Sequence, residues 1–255
     1  MKRLAWFFSL ALWPSAILAQ GAVIETMASL PDATSPPTFR GTPPARLDLS
    51  ATLPPPRSQA ATMSCVSWAT TYAAASQALR RGGNAGNVVL SPAFTYNQIT
   101  RDPYCHTTTT ISATLQLLRD GGAVPIEEFA FDAGWCGRQP TPRERDAAQR
   151  YRIAGWSRFE AADPAAVKAQ LARGVPVIFA IRSGPRLSAH RGDGVFDAPE
   201  EAPGIGHAML AVGYDDARQA FRIQNSWGRE WGDGGYAWYS YALWQRSVQV
   251  GFVID

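Results

Sequence analysis

The hydrophobic period of this chain changes at Gly174, and that change constrains the fold more than any other feature of the sequence. Ahead of it, apolar and small residues recur at helical spacing. Cys65, Ala69, Tyr72, Ala73, Ser76 and Leu79 share one face of a helix predicted over 65–81, with Ser64 as N-cap and Gly82-Gly83-Asn84 as its stop. A second helix is predicted near 111–119, with Leu115 and Leu118 inward and Gly121-Gly122 beyond its end. A third is bounded by Asp163 as cap, Pro164 at the first position and Gly174 after the last turn. After Gly174 the pattern is that of strands. Residues 175–181 form a continuous apolar run, and 207–214 and 220–224 flank the polar turn 215–218 as a hairpin. Residues 235–241 and 247–254 read as further strands. Helices first and strands second predict an α+β protein with a helical N-terminal subdomain, a β-rich C-terminal subdomain, and any site in the cleft between them.

The ends of the chain and its composition narrow the setting. Lys2 and Arg3 precede an apolar run from Leu4 to Leu18, and Ala19 offers a small residue for cleavage. That layout predicts a signal peptide over 1–19, since the run is too short for a spanning helix and Pro14 interrupts it. Residues 20–45 are rich in Pro, Thr, Ser and Ala and read as an extended arm or linker, leaving 46–255 as the domain. No later segment is apolar enough to span a bilayer, so a secreted or periplasmic protein is expected. The formal charge is +3, and loss of Lys2 and Arg3 reduces it to +1, which gives no reason to expect nucleic acid or an anionic membrane as partner. With 46% apolar residues the chain can build a sizeable core. Its three cysteines cannot form a disulfide-dense scaffold or a four-cysteine zinc site, and in an oxidising compartment one is left as a free thiol.

Cys65 stands at the predicted helix N-terminus, where backbone N–H groups and the helix dipole favour an anion. The position predicts a lowered thiol pKa and a nucleophilic thiolate. Gln59, six residues upstream, can donate its side-chain amide to a developing oxyanion, with the Cys65 backbone N–H as second donor. His207 opens a predicted strand and can take and return a proton. Asn225, on the other arm of the same predicted hairpin, can orient that imidazole.

These residues and their surroundings closely resemble the papain-like cysteine peptidases. That family has Gln, five residues, Cys, then His and Asn about 130 to 150 residues downstream. Here His207 lies 142 and Asn225 lies 160 residues beyond Cys65, the latter slightly past that range. The likeness extends over 46–255. It includes Val175-Pro176-Val177, Arg191-Gly192-Asp193-Gly194-Val195-Phe196, Gly204-Ile205-Gly206-His207, and most specifically the tract from Asn225-Ser226-Trp227-Gly228 to Gly235-Tyr236. Three features depart from it. Met63-Ser64-Cys65-Val66-Ser67-Trp68 replaces the usual Gly-Ser-Cys-Trp-Ala-Phe, Thr62 stands where a disulfide cysteine is common, and Thr107–Thr110 occupy the place of a substrate-binding glycine pair.

The resemblance implies a papain-like fold and an exported cysteine peptidase, with Cys65, His207, Asn225 and Gln59 as the catalytic set. It implies no cofactor and no metal, and a peptide or protein as substrate. Ile205 and Gly206 would line a substrate pocket, and Trp227 would shield the His207–Asn225 contact. By the same resemblance Cys105 and Cys136 pair as a disulfide; ligation of a metal by Cys105 with His106 is the alternative, and it lacks further ligands. Two other functions stay open: a catalytically impaired papain-like binding protein, motivated by Val66 and the threonine tract, and a thiol amidase or transpeptidase acting on non-protein amides. Family members often carry an inhibitory prosegment of many tens of residues. Only about 26 residues separate Ala19 from Arg46, so control by export, reduction or a protein inhibitor is expected instead.

Overall fold

A computed structural model describes residues 21–30, 33–83, 86–200 and 204–255. The predicted signal peptide, 1–19, lies outside the described residues. After the arm comes strand β1 (Arg46–Asp48), and then the helix that begins at Cys65. Its first turn, α1 (Cys65–Ser67), runs directly into a π-helical stretch (Trp68–Ala75) and on into α2 (Ser76–Arg81). The helical subdomain is completed by α3 (Pro92–Thr100), α4 (Ile111–Asp120) and α5 (Pro142–Ala148). The remainder alternates: β2 (Trp156–Glu160), α6 (Pro164–Ala172), β3 (Val177–Ser183), α7 (Pro185–Ala189), β4 (Val195–Phe196), β5 (Ile205–Asp215), β6 (Ala220–Gln224), β7 (Tyr236–Ser240), α8 (Tyr241–Ser247) and β8 (Val250–Ile254).

One mostly antiparallel sheet runs β2-β8-β3-β5-β6-β7-β4, with β1 also paired to β5. The continuous apolar character of 175–181 and 207–214 has a direct cause. Both faces of the central strands are covered, so neither face can be polar. Ile178, Ala208, Leu210 and Val212 join the core beneath the helices, whereas Val177, Phe179, Ile181, Met209 and Ala211 join a second core inside the curved sheet. The helical subdomain therefore packs on one face of β3, β5 and β8, and the cleft opens where those surfaces meet.

The predicted helices at 65–81, 111–119 and 164–173 are present, as is the 207–224 hairpin. Asp163 caps α6 through a bond from the Ala165 N–H at 2.9 Å. Ser64 makes no capping bond; its Oγ lies 2.6 Å from Thr62 Oγ1 instead. Additional helices appear at α3, α5 and α8, each with a hydroxyl N-cap: Ser91, Thr141 and Ser240. The caps were present in the sequence, but the segments are seven to nine residues long and give weak periodicity.

Candidate active site

Two elements carry the candidate chemistry. Cys65 is fully buried at the start of α1, facing β5, and the Ala208 N–H donates to its Sγ at 3.4 Å. His207 is the neighbour of Ala208 on β5. In the hairpin Leu210 pairs with Gln224, and the chain beyond Gln224 brings Asn225 back so that its Oδ1 lies 2.7 Å from His207 Nε2. With Nε2 engaged, Nδ1 is the remaining ring nitrogen, and it is buried without a protein partner. Trp227 stacks on the imidazole at 4.4 Å between ring centroids and 19° between planes. That stack covers one face of the imidazole.

Gln59 is also fully buried, and its amide is fixed at both ends. Nε2 donates to Thr62 O at 2.7 Å, and Oε1 accepts from Ser226 Oγ at 2.6 Å. An amide nitrogen has two hydrogens, so one remains for a second acceptor. Ser226 is a residue to which sequence reasoning gave no task. Its hydroxyl holds Gln59, its carbonyl accepts the Gln59 N–H at 2.8 Å, and its own N–H donates to Asn225 Oδ1 at 2.7 Å. It ties the oxyanion candidate to the imidazole's partner. The only sequence signal was its place between Asn225 and Trp227.

Cys105 and Cys136 are joined by a disulfide, and Cys65 is the free thiol. This removes Cys105 as a thiolate ligand alongside His106, whose backbone N–H is held by Asp102. Among the described residues no cluster of three or more His, Cys, Asp or Glu could hold a metal ion. Thr62 replaces a second covalent tie with hydrogen bonds: its hydroxyl donates to Gln59 O at 2.8 Å, and the neighbouring Met63 N–H donates to Cys105 O at 2.8 Å.

The arm read as a linker passes through the cleft. Gly21 and Ala22 donate their N–H groups to Gly206 O at 3.0 and 2.9 Å. Val23 N–H donates to Thr109 O at 2.9 Å, and Thr109 N–H donates to Gly21 O at 3.0 Å, a parallel bridge between the arm and the threonine tract. Further along, the Glu25 carboxylate accepts the N–H groups of Ile111 and Ser112 at the start of α4, at 2.9 and 3.2 Å. Ile24 lines a cavity of 520 Å³ at the mouth of the curved sheet, with Ile181, Leu187 and Phe196. Met27 and Leu30 pack on the helical core. Gly206 thus offers backbone to the arm, while the Ile205 side chain is about half exposed, at 49%, beside it.

Burial decides the charge state here. Desolvation pushes the Cys65 thiol up to about 12, against the backbone N–H groups of Ala208, Gly21 and Val66 and its own, which pull it down. The expected lowering by the helix N-terminus is overturned in this arm-covered state, because withdrawing a thiolate from water outweighs a few dipoles. Desolvation likewise takes His207 down to about 4, although the bond to Asn225 acts in the opposite direction. Burial therefore favours the uncharged form of both groups and works against a thiolate–imidazolium pair.

The family model for papain family cysteine proteases matches residues 44–247. A "Gamete and mating-type specific protein A" of Dictyostelium discoideum is 39% identical over 72 residues, 28% of this chain and 16% of that protein. A cathepsin L-like peptidase of Aedes aegypti is 28% identical over 126 residues, 48% of this chain and 36% of that protein. These matches span well under half the length of either relative. Among solved structures, xylellain, a cysteine protease from Xylella fastidiosa, superposes with a TM-score of 0.81 over 96% of this chain and 99% of that one, at 22% identity. Digestive procathepsin L 3 of Tenebrio molitor gives 0.72 over 94% and 77%, at 16% identity. The fold is that of these proteins, and the chain belongs to the papain family of cysteine proteases.

Proposed function

We propose that this protein is an exported cysteine peptidase, latent while residues 21–25 occupy its cleft. The observation that carries the reading is the meeting of four buried side chains from distant segments: Cys65 against β5 at Ala208, His207 bonded to Asn225, and Gln59 locked by Ser226. With the arm displaced and water readmitted, His207 Nδ1 takes the Cys65 proton. The sulfur then attacks the scissile carbonyl carbon. A carbon–sulfur bond forms, the carbonyl π-pair moves to oxygen, and Gln59 Nε2 with the Cys65 N–H receives that charge. Collapse breaks the carbon–nitrogen bond, and the imidazolium returns its proton to the leaving amine. Water then gives a proton to His207 as its oxygen bonds to the acyl carbon, the carbon–sulfur bond breaks, and the imidazolium proton returns to the Cys65 sulfur. Asn225 keeps the ring in register through both halves.

The arm supports control within the chain, in place of the expected reliance on an outside inhibitor. It lies on the backbone of Gly206 and Thr109, beside Cys65, where a substrate would need to lie.

The test is hydrolysis of a peptide panel under reducing conditions by the wild type and by Cys65→Ala, each with and without Gly21→Ala to unseat the arm. Hydrolysis is expected only where Cys65 is present, and fastest with the arm unseated. Equal cleavage with and without Cys65 would end the reading. Labelling of Cys65 by a thiol-directed epoxide without any peptide hydrolysis would favour an amidase, a transpeptidase or a binding protein on the same fold.

A further inference from the structure

Between the helix and the sheet, beside Asn225, lies a small, partly open cavity of about 10 Å³. Its lining includes Trp68 from the π-helical stretch, Gln224 at the end of β6, and Asn225. All three residues are at least nine-tenths buried, with exposures of 3%, 5% and 4%. Each contributes one buried polar atom without a protein partner: Trp68 Nε1, Gln224 Oε1 and Asn225 Nδ2. Their other polar atoms are engaged. Gln224 Nε2 donates to Pro54 O at 2.9 Å, and Asn225 Oδ1 receives both the Ser226 N–H and the His207 ring nitrogen. Two unpaired donors and one unpaired acceptor therefore belong to residues that line one void about the size of a solvent probe, and an ordered water makes about three hydrogen bonds.

We infer that this cavity is a binding site for one ordered water, which accepts from Trp68 Nε1–H and Asn225 Nδ2–H and donates to Gln224 Oε1. Trp68 and Gln224 are then positioning residues for Asn225. With Nδ2 tied to the water, the amide cannot turn over, and Oδ1 stays toward His207 Nε2. A reversed amide would set N–H against N–H and drive the imidazole proton to Nδ1, the nitrogen that must stay open to receive the Cys65 proton. Sequence contributes a second reason. The helix carries Trp68 where the related motif has Phe, so the donor is a feature of this chain. The catalytic meaning rests on the role proposed for Asn225; the water site itself does not.

The test uses the full chain. A crystal structure at a resolution that defines ordered water is expected to show a water within hydrogen-bonding distance of all three atoms. Density absent there, or direct pairing of Gln224 Oε1 with Asn225 Nδ2, overturns the proposal. A second measurement is the ¹⁵N spectrum of imidazole-labelled protein at neutral pH, in which His207 is one of only three histidines. In the wild type its proton is expected on Nε2. Trp68→Phe and Gln224→Leu are each expected to move a measurable fraction to Nδ1, on the order of a tenth or more, and the double variant little further, because both act through one water. Unmoved shifts in both variants would show that they matter only for packing, and additive ones that they act independently and not through one water; either result overturns the proposal. Because neither measurement needs turnover, a protein without peptidase activity could still hold the water, and the two readings fail separately.

Discussion

Ala22 and Gly206 meet backbone to backbone in the cleft: the Ala22 N–H donates to Gly206 O at 2.9 Å, and a β-carbon on Gly206 would overlap the Ala22 carbonyl oxygen. Gly21 is equally tight, since a β-carbon there would overlap the Met63 carbonyl two residues before Cys65. The arm lies beside the thiol because both chains lack side chains where they cross. Gly21→Ala is therefore expected to unseat it. Alkylation of Cys65 by iodoacetamide should become about tenfold faster or more, the factor for roughly 1.4 kcal/mol of lost arm binding. An unchanged rate would mean that the arm does not limit access.

The same burial makes stability depend on pH at both ends. His207, lowered from 6.5 to about 4, is neutral when folded, so the unfolded chain binds more protons between those values. Its contribution is present above pH 6.5 and lost as pH falls toward 4. Cys65, raised from 9.0 to about 12, keeps its proton when folded, so its contribution is present below pH 9.0 and lost as pH rises toward 12. Thermal unfolding should give the highest Tm between these limbs, and His207→Gln should flatten the acid limb alone. A His207→Gln profile parallel to the wild type from pH 4 to 6.5 would refute the assignment.

Gln59 should act only when an oxyanion forms. Gln59→Ala is expected to lower kcat for peptide hydrolysis by about 10²- to 10³-fold. Alkylation of Cys65, which builds no oxyanion, should change far less. Ser226→Ala leaves the amide in place but frees its Oε1, and a smaller loss in the same direction is expected. Equal losses in hydrolysis and alkylation would instead place Gln59 in the packing around the thiol.

The Cys105–Cys136 bridge closes a loop with a sequence separation of 31. Replacing both cysteines with serine should cost about 3–4 kcal/mol by the loop-entropy relation. Denaturant unfolding would measure it, and a loss below about 1 kcal/mol would mean that the Thr62 and Met63 bonds already hold the region. Iodoacetamide labelling of the folded variant should still fall on Cys65.

Much of the fold was legible from local pattern. The Asp163 cap with Pro164 at the first helical position, the helix near 111–119 and the apolar runs of β3 and β5 each follow from side-chain type and period. The short helices α5 and α8 were not, because a single hydroxyl cap on seven residues is a weak signal until a tertiary surface holds the segment. The π-helical stretch had no signal at all. Of the candidate site, Cys65, His207, Asn225 and Gln59 were legible through motif and spacing, whereas Ser226, Trp68 and Gln224 were not. Their contributions depend on which polar atoms remain unpaired after folding.

By itself the sequence determined the order of helices and strands, the residues able to do thiol chemistry, and the presence of one cysteine more than a disulfide can use. Only the tertiary structure decided that the arm lies in the cleft, that burial favours the neutral forms of Cys65 and His207, and that Ser226 joins Gln59 to Asn225. Period and residue type act over a few neighbouring positions. Desolvation and hydrogen-bond partnership depend on what the folded chain places within a few ångströms, and here those neighbours lie as far apart in sequence as Gly21, Cys65 and Ala208.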